Sequence, residues 1–94
     1  MKVITKCVEI ENEKFYLISD FDKDGNKYYG TIPYTEVENG RMKRALNGFE
    51  IAIAKTIGEA LERRENDIKT NKRFNKYISE GYTREEAAIK AVLG

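Results

Sequence analysis

The sequence predicts an α+β fold: a three-stranded antiparallel β-meander, a long central helix and two shorter C-terminal helices. Three observations carry that expectation. Three short runs rich in β-branched and aromatic residues open the chain, six large apolar residues then recur at helical spacing, and a helix-start signature stands before the last apolar run.

Residues 2–10 (KVITKCVEI), 14–21 (KFYLISDF) and 27–34 (KYYGTIPY) are the expected strands. Glu11-Asn12-Glu13 makes the first turn. Asp22-Lys23-Asp24-Gly25-Asn26 makes the second, where Gly25 or Asn26 takes the positive φ a hairpin loop needs. Phe15, Leu17 and Phe21 alternate with Tyr16 and Ile18, so both faces of the sheet carry apolar bulk. One face is expected to cover the central helix and the other to present tyrosines, which are large and lose little freedom on ordering. Pro33 cannot donate to a ladder and marks a strand end, leaving Thr35–Gly40 as a polar link and Asn39 as the N-cap of the central helix.

From Arg41 to Arg64 the chain reads as one helix. Met42, Leu46, Phe49, Ile53, Ile57 and Leu61 fall on a single stripe that must be buried. Gly48, Ile51, Ala54 and Gly58 lie off that stripe, and small residues four apart admit a second backbone. Those four positions, with Tyr16, Tyr28, Tyr29 and Tyr34, are the expected contact surface for a partner or for a second copy in a homodimer.

Asn and Thr between Glu65 and Asn71 lower helix propensity, which predicts a kink, a break or a frayed turn there, with one continuous helix past residue 70 as the alternative. Phe74, Tyr77 and Ile78 then mark a short helix ending at Gly81, and Thr83 with Glu86 forms a capping box that starts a last helix, apolar on much of its circumference. Such a helix must dock. The whole of 1–94 is expected to form one compact domain, with 1–36 the β-meander and 39–94 the helical part.

Charge divides the chain more than its sum suggests. The 17 basic and 16 acidic residues nearly cancel, yet residues 1–40 hold five Lys against eight acids and residues 41–94 hold twelve basic residues against eight. A nucleic-acid surface therefore belongs to the second half, where Arg63, Arg64, Lys69, Lys72, Arg73 and Lys76 alternate with Phe74 and Tyr77. Helix, Gly81, helix also outlines a helix-turn-helix, although Arg84-Glu85-Glu86 would bring two acids toward phosphates.

Catalysis finds little to work with. No His is present, which removes the commonest general base and metal ligand. Asp20, Asp22, Asp24 and Gly25 copy the start of a calcium loop, but Thr31 stands where a bidentate Glu is needed and strands flank the segment, so a hairpin turn is expected. Cys7, the single cysteine, lies in a strand pattern with no base to activate it. No catalytic residue, cofactor or metal is expected. The Met-Lys-Val-Ile-Thr start lacks a signal-peptide core and no apolar run spans a membrane, so the expected setting is the cytoplasm.

The general profile, one small domain without a catalytic set and rich in Lys, Asn, Ile and Tyr, resembles that of small phage or mobile-element accessory proteins, among them inhibitors of host defence such as anti-CRISPRs. The likeness is compositional and implies non-enzymatic protein–protein interaction. The alternatives are a nucleic-acid-binding regulator using residues 63–76 and a sponge for a small anionic ligand.

Overall fold

A computed structural model describes residues 2–93, apart from the side chain of Phe49, whose place in the apolar stripe lies outside the described residues. The architecture is α+β, a three-stranded antiparallel sheet followed by helices. By contact the chain falls into two compact units, Met1–Arg64 and Glu65–Gly94.

In the first unit, β1 (Val3–Ile10), β2 (Glu13–Phe21) and β3 (Lys27–Pro33) pair in the order β1-β2-β3. Glu11 and Asn12 both take positive φ, 51° and 66°, as the centre of a tight two-residue hairpin loop requires. In the second loop the Asp22 carboxylate accepts from the backbone N–H groups of Asp24 (2.9 Å) and Asn26 (2.8 Å), so this acid holds the turn itself.

Register assigns the faces. Pairing Phe15 with Pro33 and Leu17 with Thr31 places Phe15, Leu17 and Thr31 on one side, all buried. The pairs Tyr16–Ile32 and Ile18–Gly30 define the other side, where Ile18 and Ile32 form a cluster with Leu46 and Ile51, flanked by Val37 and Met42. Gly30 permits this packing, because a Cβ there would stand 2.6 Å from Ile51 Cγ2. Both sheet faces are thus apolar as expected, but the cover of the second comes from residues between 37 and 51, expected as a linker and the start of the central helix.

The helix expected over 41–64 does not form. Tyr34–Glu36 is a turn of 3-10 helix, and β4 (Val37–Glu38) and β5 (Arg41–Met42) make a small hairpin around Asn39 and Gly40, whose φ values are 52° and 77°. Asn39 is therefore a hairpin-turn residue and not an N-cap; Asn-Gly is the dipeptide that best fits such a turn. Asn47 Oδ1 accepts from Glu50 N, and Asn47 N donates to Glu50 Oε2, each at 3.0 Å, which starts a helix α1 (Gly48–Ile51) of a single turn. It stops where Ala52 turns to φ 54°, and Ala54 then pairs with Tyr29 at the outer edge of β3 through hydrogen bonds of 2.7 and 2.8 Å.

A second start comes at once. Thr56 Oγ1 accepts from Glu59 N at 3.1 Å, and α2 runs without a break over Ile57–Ser79, so the break expected at 65–71 is absent and the short helix around Tyr77 is the end of α2. Among the described residues the chain has two helices longer than one turn, where three were expected. Weak Asn and Thr propensities cost only a few tenths of a kcal/mol each, less than capping and burial return over 23 residues.

In the second unit α2 ends at Gly81 (φ 97°): Tyr82 N donates to Tyr77 O at 3.2 Å and Gly81 N to Ile78 O at 3.1 Å, the Schellman pattern. Of the expected capping box the N-cap half forms, with Glu86 N donating to Thr83 Oγ1, while the Glu86 carboxylate accepts from the Thr83 hydroxyl in place of its backbone N–H; this cap opens α3 (Arg84–Leu93).

Candidate functional site

The basic segment 63–76 is largely engaged with the protein itself. Arg64 is 5% exposed; its Nε donates to Thr31 Oγ1 (2.8 Å), its Nη2 donates to the carbonyls of Thr31 (2.7 Å) and Glu50, and its guanidinium lies 4.8 Å from the Phe15 ring centroid. Arg63 donates to Ile53 O at 2.6 Å. Arg73 donates to Ala91 O at 2.8 Å and Thr70 Oγ1 at 3.3 Å. Lys69 meets Glu65 at 3.0 Å, one helical turn away. Lys72 and Lys76 are exposed. Three of the six cations therefore hold backbone carbonyls, where the fork of an arginine is suited to join two acceptors.

The residues expected to form a partner surface are not gathered into one. Ile51 is a core residue, Ala54 is the bridge on β3, and Gly48 and Gly58 are exposed in separate helical segments. Tyr16 stacks on Tyr34 at 5.2 Å on the side of Ile18, with burial and the Tyr34 hydroxyl raising its phenol above the ordinary value. Tyr28 donates to Asp20 Oδ2 at 3.3 Å, and desolvation, then the Asp20 charge, raises its phenol too. Tyr29 occupies the opposite sheet face, where Lys27 Nζ lies 5.5 Å from its ring.

Cys7 is an exposed thiol on β1, and among the described residues no cluster of three or more Cys, Asp or Glu is gathered to hold a metal ion. The conspicuous surface is the outward side of α3. Ala87 and Ala91 are buried, while Ile89, Val92 and Leu93 are 61, 73 and 83% exposed, and with Ala88 they line a shallow apolar hollow. These four recur at i, i+1, i+4, i+5, so they form one stripe. α3 is held from its other side: Arg73 binds its last-turn carbonyl, and Lys90 Nζ sits 4.9 Å from the Tyr82 ring and 5.9 Å from that of Tyr77, the two rings meeting edge-on at 5.6 Å. The sequence signalled this surface only through a last helix with more apolar residues than one buried face accommodates.

No helix of the described residues is long and apolar enough to cross a membrane. The chain matches no protein-family model, no curated protein and no solved structure.

Proposed function

We propose that this chain is a small non-enzymatic binding protein that lays the outward stripe of α3 into an apolar groove of a partner protein. The observation that carries the reading is the exposure of Ile89, Val92 and Leu93 on one short helix. Scattered exposed apolar residues are ordinary, but a contiguous stripe of three large ones marks an interaction surface. A helix presenting anchors one turn apart is a recurring way of entering a groove.

Burying three such side chains contributes roughly 5–8 kcal/mol, which the costs of association and side-chain ordering largely offset. The stripe is therefore the centre of a larger contact. The compositional profile of a phage accessory protein fits such a role, with a host factor as the partner. Nucleic acid is the weaker reading, since Arg63, Arg64 and Arg73 face the protein's own carbonyls and Lys69 faces Glu65.

The test compares two surface variants with the unmodified chain as bait in extract from the native host. Ile89→Glu/Val92→Glu should lose the retained protein by at least tenfold, whereas Lys72→Glu/Lys76→Glu should retain it. Equal retention by the α3 variant contradicts the reading. A nucleic-acid mobility shift that weakens steeply with salt, and disappears in the lysine variant, transfers the function to α2.

A further inference from the structure

The sequence holds two Asn-Gly dipeptides, Asn39-Gly40 and Asn47-Gly48, and the fold treats them differently. Asparagine is chemically labile, most of all before glycine, whose backbone nitrogen has no neighbouring side chain to keep it from the asparagine amide carbon. Asn39 and Gly40 are the two central residues of the β4–β5 hairpin, and both are exposed. Among the described residues no hydrogen bond holds the Asn39 side chain, and a Cβ built on Gly40 would meet nothing within 4 Å. Neither a partner nor crowding opposes a reaction between them. The two strands are two residues long each, and a hairpin that short opens readily at its tip.

We propose that Asn39 is a site of spontaneous backbone modification, reacting with Gly40 while Asn47 is protected. The Gly40 backbone nitrogen gives up its proton and attacks Cγ of Asn39. The new N–Cγ bond forms as the Cγ–Nδ2 bond breaks, the amide nitrogen leaves with that proton as ammonia, and a cyclic imide remains. Water then opens the imide at either carbonyl, which gives aspartate or isoaspartate at position 39. Nothing is oxidised or reduced, and water is the only co-reactant.

Asn47-Gly48 is guarded by its own cap. Asn47 Oδ1 accepts from Glu50 N at 3.0 Å, and the Asn47 and Gly48 carbonyls accept from Ile51 N and Ala52 N at 3.1 and 3.0 Å. These bonds hold both peptide units in α1, between the buried side chains of Leu46 and Ile51, so cap and turn must come apart before Gly48 N can reach the Asn47 amide. At position 39 the products have a structural consequence. Isoaspartate carries the backbone through the side-chain carbons and lengthens the two-residue turn, and either product adds a negative charge beside Glu38. The hairpin pairs Val37 with Met42, which pack on the cluster of Ile18, Ile32, Leu46 and Ile51, so the modification loosens that cover. The reaction does not depend on what α3 binds.

The test needs only the unmodified chain, kept in mildly alkaline buffer at body temperature, sampled over weeks and mapped by peptide mass spectrometry. The mass gain of amide-to-acid conversion should accumulate at Asn39 at least tenfold faster than at Asn47. In guanidinium chloride that unfolds the chain the two rates should become nearly equal, because the difference comes from the fold and not from the dipeptides. The fraction converted at Asn39, separated by its extra negative charge, should unfold at a lower urea midpoint than the unmodified chain. Equal rates in the folded chain, faster conversion at Asn47, or none at either site overturns the assignment. A tenfold preference that survives unfolding also overturns it, and an unchanged urea midpoint overturns the loosening of the core cover.

Discussion

Arg64 is the residue on which most of the first unit converges. It joins a sheet hydroxyl, a sheet carbonyl and the Glu50 carbonyl while lying over Phe15, so one side chain ties β2, β3 and α1 to α2. Hydrogen bonds to a charged group are worth about 1.5–3 kcal/mol each, and truncation also leaves buried carbonyls unpaired. Arg64→Ala should therefore lower stability by about 3–5 kcal/mol, measurable as a fall in the urea midpoint. Arg64→Lys should recover less than half of that, because an ammonium keeps the charge but loses the fork. Gly30 makes a complementary case. Gly30→Ala places a methyl 2.6 Å from Ile51 Cγ2 and should cost about 1–3 kcal/mol. In the Ile51→Ala background the same substitution should cost clearly less, a coupling that a double-mutant cycle reads directly.

At the scale of elements, two side-chain N-caps decide where the helices begin. Asn47 with Glu50 starts α1, Thr56 with Glu59 starts α2, and each interrupts the single helix that periodicity predicts from 41 to 64. Thr56→Ala should cost about 1 kcal/mol in thermal or urea unfolding. Glu50 adds a pH dependence: the Asn47 N–H, then Arg44 at 2.7 Å, hold its carboxyl below the usual carboxylate range. A depressed folded value means that its contribution is present above the unfolded value and lost as pH falls through the folded one. Below about pH 4 the unmodified chain should lose stability more steeply than Glu50→Gln, as thermal melts against pH would show. These starts have the same form as Thr83-x-x-Glu86, whose N-cap is legible in the sequence and present in the fold, and Asn39-Gly40 carries the strongest short-range hairpin signal in the chain. They are hidden because 42, 46, 53, 57 and 61 keep a helical spacing across different elements and the links between them. The strands are legible almost to the residue, since β-branched and aromatic runs between turn residues leave little choice. The role of Arg64 is not, because burial of a guanidinium depends on carbonyls that only the folded chain brings together.

On the scale of the molecule, the proposed function rests on the α3 stripe. α3 is a ten-residue helix with only Ala87 and Ala91 buried, so little apolar packing resists its opening and its amides should exchange early in the free protein. The most direct measurement is hydrogen exchange over residues 84–93, free and bound to the protein retained by the unmodified chain. Binding should slow exchange most strongly across 84–93, and Ile89→Glu/Val92→Glu should abolish the effect. Slowed exchange confined to residues 69–76 or to β1, with 84–93 unchanged, would contradict a function carried by α3.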